Sequence, residues 1–116
     1  MESLSPQVTQ RPLQFDNGSA LGVSTRWGRG QYCSILTPVG IVGCGIYDLK
    51  TPAEFDQAIA IAKGSPDKPL VEPEDLYDAE ISGVTPQAED LGITIGMLGK
   101  EAVEIMLKAA SEKDNG

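Results

Sequence analysis

The order of strand-like and helix-like segments constrains the fold of this chain more than any other feature. Between residues 12 and 48, short apolar segments alternate with turns that contain Gly, Pro, Asn or Asp. Runs of about four to eight residues that are rich in Val, Ile, Thr and Tyr and end at such turns are typical of antiparallel hairpins. We therefore predict a meander of about four strands over residues 12–48.

Helical patterns begin where the predicted meander ends. The segment Thr51–Glu54 has the sequence of a capping box, with proline at the first helical position. From Phe55 to Ala62, apolar residues recur at the spacing of an amphipathic helix, and Gly64 is a suitable C-terminal stop. We predict a helix over residues 51–63.

The rest of the chain predicts short elements followed by one long helix. These elements are one helical turn over residues 73–77, a short strand over residues 79–84, a brief helix over residues 85–91 and a long helix over residues 100–113. Strands that precede helices indicate an α+β fold. We predict a mainly antiparallel sheet with the helices packed on one face.

The length of the chain, 116 residues, corresponds to one domain. The polar N-terminal segment shows no periodicity, so we predict a flexible tail over residues 1–10. A single α+β domain over residues 11–112 and a flexible end over residues 113–116 complete the predicted organisation.

The charge of the chain excludes two classes of partner. Nine Lys and Arg stand against 17 Asp and Glu, which gives a formal net charge of −8. Nucleic acids and anionic membranes are bound by clustered Lys and Arg, and the sequence has no such cluster. No apolar run reaches the roughly 20 residues of a membrane span, and the N-terminus lacks the pattern of a signal peptide. We therefore expect a cytoplasmic protein with reduced thiols.

The chain contains no histidine, which removes several kinds of active site. Cys–His and Ser–His–Asp catalysis and histidine-containing zinc sites all require that residue. The two cysteines are too few for a structural zinc site, and the acidic residues between 72 and 80 lack the spacing of a calcium-binding loop. We predict no metal and no cofactor, and we interpret the acidic segment as a solvated loop.

Cys44 has two possible roles. It lies in a run of apolar residues and glycines, four residues before Asp48. One hypothesis makes Cys44 a nucleophile with Asp48 or Glu101 as the proton carrier. The other makes it a small buried residue in a central strand, and we favour this one because free cysteines are usually buried and no basic group beyond Lys50 is near in sequence.

The turn before Cys44 decides whether the two cysteines can meet. A two-residue turn at Pro38-Val39 would place Cys33 and Cys44 directly opposite each other on one face. A turn with Gly40 in the left-handed region would form a bulge and send the two side chains to opposite faces. Proline favours the turn type that accompanies such a bulge, so we predict the bulge and no disulfide.

Two motifs resemble a known family. The patterns GxxxCGxxDL over residues 40–49 and AEDLGIxxGMxGxEA over residues 88–102 are similar to the YunC-like family, a small bacterial and archaeal domain of unknown function (domain of unknown function 1805). The resemblance implies a compact cytosolic α+β domain without an established activity. This sequence departs from the family pattern at Cys33, which has no counterpart, and at Gly43, where a larger apolar residue is usual. Neither hypothesis for Cys44 therefore gives Gly43 a role.

The resemblance also implies that residues of each motif act together. We place a possible pocket where the first motif meets the glycine-rich segment before the last helix. The candidate ligand-binding residues are Cys44, Gly45, Asp48, Gly96, Met97, Gly99 and Glu101. Our leading hypothesis is a homo-oligomer that is non-catalytic or binds a small molecule, and the alternative is an enzyme that uses Cys44 as its nucleophile. The sequence leaves open whether the domain is an enzyme.

Overall fold

The structure is a computed structural model that describes the backbone of residues 5–115 and the side chains of residues 5–112. In chain order its elements are β1 (Gln7–Phe15), β2 (Gly18–Trp27), β3 (Gly30–Leu36), β4 (Gly40–Cys44), α1 (Lys50–Glu54), β5 (Ala58–Ala62), a 3₁₀-helix (Pro73–Leu76), β6 (Ile81–Val84), α2 (Pro86–Leu91) and α3 (Gly99–Asn115). Within this described part, no helix is both long enough and apolar enough to cross a membrane.

All six strands form one sheet in which they lie in chain order. Neighbouring strands are antiparallel except β4 and β5, which run parallel. The prediction of an α+β fold with a mainly antiparallel sheet is confirmed, and the predicted meander corresponds to β1–β4. The sheet is larger than predicted because β5 and β6 extend it, and β6 lies within the strand predicted over residues 79–84.

The first strand begins inside the segment that we predicted as a tail. Residues Gln7–Gln10 pair with Val23–Arg26, because β2 is ten residues long and offers partners beyond the apolar part of β1. Residues 1–4 lie outside the described residues. At the other end, α3 continues to Asn115, so its backbone extends into the predicted flexible end.

The helix predicted over residues 51–63 is wrong. Helix α1 ends at Glu54, Asp56 takes a left-handed φ of 58°, and β5 follows at Ala58–Ala62. The segment Ala58–Ala62 is apolar at every position, which satisfies the spacing of a helix but also suits a strand buried on both faces. Phe55, the first residue of the supposed apolar stripe, is 70% exposed.

The hydrophobic core lies between one face of the sheet and the helices α2 and α3, which also contact each other. From the helices it contains Ala88, Ala102, Val103, Met106 and Leu107. The opposite face of the sheet is covered in part by the segment that leads into α1, where Tyr47 lies over Gly43 and Leu49 lies beside Gly83. We predicted that all the helices pack on one face of the sheet, and this part of the prediction is wrong.

The acidic segment packs on the core face over β2, β3 and β4. Its 3₁₀-helix is the predicted helical turn, and Leu76 within it is fully buried. Glu72 pairs with Arg11 and Arg26, and Glu74 pairs with Arg11. The segment is thus attached to the first hairpin and is more ordered than the solvated loop that we predicted.

Candidate functional site

The structure brings Cys33 and Cys44 together. Ser34 pairs with Gly43 and Ile35 pairs with Val42, and this register, continued by one residue beyond its last pair, puts Cys33 opposite Cys44. The strands are joined by a two-residue turn, which is closed by a hydrogen bond from the N–H of Thr37 to the carbonyl of Gly40 at 2.9 Å. The predicted bulge is wrong. Both cysteines are free in the structure.

Two contacts explain this turn. The hydroxyl of Thr37 accepts hydrogen bonds from the N–H groups of Val39 and Gly40 at 3.3 and 3.0 Å, which closes the turn without a left-handed residue. Gly40 is a glycine for another reason, since a Cβ there would collide with the carbonyl of Ala58 in β5. Gly40 thus allows β5 to lie close to β4, a contact that the local sequence does not reveal.

Both cysteine side chains point into the core. Cys33 is fully buried, whereas Cys44 keeps 8% of its surface exposed. Cys44 is the last residue of β4, a central strand between β3 and β5, and it pairs there with Ala62. The prediction that Cys44 lies buried in a central strand is confirmed, and its slight exposure comes from its position at the end of that strand.

The two thiols form a coupled pair with one favoured site for negative charge. The Cys33 thiol donates a hydrogen bond to the Cys44 sulfur, and this contact is the main cause that lowers the pKa of Cys44 from 9.0 to about 6. Burial opposes the change, and the backbone N–H of Ile46 supports it. The same hydrogen bond, followed by burial, raises the pKa of Cys33. The two shifts together favour negative charge on Cys44, which is the less buried of the two residues.

An aromatic cluster on the opposite face of the sheet supports the loop after Cys44. The ring of Tyr47 covers Gly43 and packs edge-to-face on Tyr32, with ring centroids 5.9 Å apart. Burial raises the pKa of Tyr47, and a hydrogen bond with Ser34 opposes that effect. Gly43 does have a role, because it leaves the space that the Tyr47 ring fills.

The two carboxylates that we proposed as proton carriers accept hydrogen bonds from backbone N–H groups near the first turns of α1 and α3. Asp48 accepts hydrogen bonds from the N–H groups of Lys50 and Thr51 at 3.3 and 3.0 Å. The bond from Thr51 is the main cause that lowers the pKa of Asp48. Asp48 rather than Thr51 thus supplies the side-chain cap near α1, and Glu101 similarly accepts from Leu98 at the start of α3 at 2.9 Å. Proton transfer by Asp48 or Glu101 stays a prediction.

The structure does not bring Cys44 close to the glycine-rich segment before α3. That segment follows the outer side of β6, where Leu98 pairs with Glu80 and the N–H of Gly96 donates to Ile81 at 2.8 Å. Strands β5 and β6 lie between it and β4. Strands in a sheet are about 4.8 Å apart, so roughly 14 Å separates the two predicted halves of the pocket.

Each candidate in the second motif has a defined place. Gly96 has a left-handed φ of 98°, and Gly99 starts α3 directly against the carbonyl of Leu76, where a Cβ would not fit. Met97 and Glu101 line a cavity of about 630 Å³, together with Phe15 and Tyr77. In the first motif, Gly45 is exposed and has ordinary neighbours at 3.9–4.0 Å.

Two sequence comparisons relate this chain to known proteins. A family model described as a domain of unknown function, DUF1805, matches residues 43–106, more than half of the chain. The uncharacterized protein YunC of Bacillus subtilis (strain 168) is 28% identical over 103 residues, which cover 87% of this chain and 99% of that protein.

A solved structure supports the same fold. The crystal structure of a protein of unknown function, TA1206 from Thermoplasma acidophilum, matches with a TM-score of 0.74 over 88% of this chain and 95% of that chain, at 13% identity. Self-association, a cytoplasmic location and the absence of a metal or cofactor stay predictions. The family is shown by the match over residues 43–106: the chain belongs to the DUF1805 domain family.

Proposed function

We propose that this domain carries out thiol chemistry, with Cys44 as the nucleophile and Cys33 as the hydrogen-bond donor that activates it. The observation that carries the proposal is the direct opposition of the two cysteines on β3 and β4. A nucleophilic cysteine needs a neighbour that stabilises its thiolate. Histidine usually has this role, and the chain has none, so the second thiol takes its place.

The surroundings of Cys44 differ from those of an inert buried cysteine. Apolar burial alone raises the pKa of a thiol and suppresses its reactivity. At Cys44, the hydrogen bond from Cys33 and the N–H of Ile46 outweigh burial. The lowered pKa of Cys44 favours the thiolate near neutral pH, and Cys44 keeps 8% of its surface exposed, which makes it the more accessible of the two cysteines.

Alkylation of the native protein tests the proposal. The rate of modification of Cys44 by iodoacetamide is measured between about pH 5 and about pH 9, with peptide mass analysis to identify the labelled residue. We expect the rate to reach half of its maximum near pH 6 in the native protein, the pKa of Cys44. In Cys33→Ala, we expect the midpoint to move towards the value of an ordinary thiol, about 8.5.

Two controls make the result decisive. Cys44→Ser should remove the fast labelling, and the urea-unfolded protein should label both cysteines with the pH dependence of ordinary thiols. If the native protein labels at Cys44 only after unfolding, or if Cys33→Ala has the same pH midpoint as the native protein, the proposed function is wrong.

A second candidate function is the binding of a small molecule beside α3. It is favoured by the cavity of about 630 Å³ that Met97 and Glu101 line with the edge-to-face pair Phe15 and Tyr77. This volume lies within the range of about 300–1,000 Å³ that is usual for ligand sites. A thermal-shift screen with small aromatic acids tests it, with Lys100→Ala as the matched variant at the rim. Stabilisation that Lys100→Ala reduces would support binding there, and no stabilisation by any compound would contradict it.

A further inference from the structure

We propose that Cys33 and Cys44 reduce small hydroperoxides: Cys44 attacks the peroxide, and Cys33 then closes an intramolecular disulfide with it. The inference rests on the proposed function, because it requires Cys44 to be a nucleophile. It adds a substrate class and a catalytic role for Cys33, which otherwise only donates a hydrogen bond.

The backbone geometry suits a reversible disulfide. Residues directly opposite each other on antiparallel strands have Cα atoms about 4.5–5.5 Å apart. Disulfides span Cα separations of about 4.4–6.8 Å, so two residues that continue the register of Ser34 and Gly43 by one position lie within the range of such a bond. Their register is fixed on one side by the turn at Thr37–Gly40 and on the other by the pairing of β4 with β5.

The burial of the pair indicates the size of the substrate. Cys44 exposes 8% of its surface, and Cys33 exposes none. Thiol–disulfide exchange with a protein substrate requires that substrate's sulfur to approach the attacking thiolate closely. A hydroperoxide presents a single terminal oxygen and needs a much smaller opening to reach Cys44. Small hydroperoxides are therefore favoured over protein disulfides.

In the first step, the Cys44 thiolate attacks the terminal oxygen of the hydroperoxide. A sulfur–oxygen bond forms, the oxygen–oxygen bond breaks, and the alkoxide or hydroxide that leaves takes a proton from water. The sulfur loses two electrons and becomes a sulfenic acid, while the peroxide gains them and becomes an alcohol or water. The N–H of Ile46, which supports the thiolate, lies next to the reacting sulfur.

In the second step, Cys33 attacks the Cys44 sulfenic acid. The disulfide bond forms, the sulfur–oxygen bond breaks, and the hydroxide that leaves combines with the Cys33 proton to give water. Oxidation of Cys44 removes the negative charge that holds the proton on Cys33, so the main cause of its raised pKa disappears at this point. Cys33 thus becomes reactive only after Cys44 has been oxidised.

The cycle closes when an external dithiol reduces the disulfide. One of its thiolates attacks the disulfide, which forms a mixed disulfide with one protein cysteine and releases the other, and its second thiolate attacks the mixed disulfide and releases the remaining cysteine. The dithiol is oxidised to its own disulfide and supplies the two electrons that the hydroperoxide consumed. Dithiothreitol is a sufficient reductant for the test, and hydrogen peroxide and a small alkyl hydroperoxide are the oxidants.

The experiment treats the reduced full chain with one equivalent of hydrogen peroxide near neutral pH. Intact-mass analysis after alkylation of the remaining thiols should show that the native protein loses two hydrogens and both free thiols together. Cys33→Ala should react more slowly, because less of its Cys44 is thiolate, and should accumulate a Cys44 sulfenic acid that dimedone traps. Cys44→Ser should react at least about tenfold more slowly, since the thiolate rather than the thiol reacts with the oxidant.

The outcomes separate this inference from the proposed function. Rapid alkylation of Cys44 in the native protein would support its role as a nucleophile. If peroxide then yields no disulfide, or yields a sulfinic acid at the same rate with and without Cys33, the proposed hydroperoxide reduction is wrong although Cys44 is a nucleophile. If neither reaction occurs, both fail. Cys33→Val, which keeps the core apolar, replaces Cys33→Ala if circular dichroism shows that the alanine variant does not fold.

Discussion

The ring of Tyr47 lies on the bare backbone of Gly43, so that a Cβ added to Gly43 would stand 2.5 Å from two of its carbons. This contact is on the face of β4 opposite to the Cys44 side chain. It holds the loop that brings the N–H of Ile46 to the Cys44 sulfur. The packing of one aromatic ring therefore connects the two faces of the strand.

Gly43→Ala should destabilise the protein and slow the alkylation of Cys44. The added methyl group displaces the Tyr47 ring, and overpacking of this kind typically costs about 1–3 kcal/mol. Gly45→Ala is the matched control, because its neighbours lie at 3.9–4.0 Å and its φ is not left-handed. Urea unfolding measures both variants. Equal stability of the two would show that Tyr47 does not depend on Gly43.

The stability of the protein should rise with pH between about 6 and 9 because of Cys44. In this window the unfolded state holds the Cys44 proton and the folded state does not, so the unfolding free energy increases by up to about 1.4 kcal/mol per pH unit. Above about pH 9, Cys33 reverses the trend, because it stays protonated when folded and ionises when unfolded. Urea unfolding at several pH values measures the effect.

The matched variant for the pH experiment is Cys44→Ser. It removes the group whose folded pKa is lowered, and it leaves the carboxylates of the protein unchanged. We expect the difference between native protein and variant to grow from pH 6 to pH 9. A difference that is constant over this range would mean that Cys44 keeps its proton in the folded state.

Thr85→Val should be strongly destabilising although it keeps the shape of the side chain. The buried hydroxyl donates to the carbonyl of Gln57 at 2.8 Å and accepts from the N–H groups of Ile59 and Ala88 at 3.0 and 3.3 Å. Valine leaves these groups unsatisfied, and each buried unsatisfied group costs about 1–3 kcal/mol. Thr9→Val, at an exposed position of β1, is the control and should change the stability by less than about 0.5 kcal/mol. Thermal unfolding that is equal for both would contradict this prediction.

Glu104→Ala should loosen the turn between β1 and β2. The carboxylate accepts hydrogen bonds from the N–H groups of Asp16 and Asn17 at 3.0 and 2.9 Å, which attaches this turn to α3. Amide hydrogen exchange should accelerate at both residues in the variant, and the stability should fall by about 1–3 kcal/mol. Glu112→Ala, an exposed position on the same helix, should leave the exchange of the turn unchanged. Unchanged amide exchange at the turn in both variants would show that the turn is stable without Glu104.

Several parts of the fold that depend on local signals were predicted correctly. The positions of the turns in the meander, the start of α2 at Thr85 and the long apolar face of α3 are all visible within about 15 neighbouring residues. Thr85 does cap α2, and Gly92 ends it with a left-handed φ of 108°. These features require no knowledge of which strands become neighbours.

The errors arose where a distant neighbour decides the local structure. Residues 58–62 became a strand because β4 and β6 pair with them on either side, although their spacing also fits a helix. Gly40 is a glycine because Ala58 approaches it, and not because of the turn in which it lies. The thiol pair was rejected for the same reason, since Gly40 was interpreted as the left-handed residue of a bulge. The equal spacing of the two cysteines from Pro38-Val39 had indicated the alternative, in which they lie opposite each other.

The parallel pairing of β4 with β5 has a consequence for the newly made chain. The hairpins of β1–β4 rely on contacts between near neighbours in sequence, whereas β5 can dock only after the crossover through α1 has closed. We expect the hairpin that carries Cys33 and Cys44 to form first, with β4 as an open edge. During synthesis the two thiols would then come together before β5 and the helices pack over them. An oxidant would therefore have the greatest access to both cysteines in the partly folded chain.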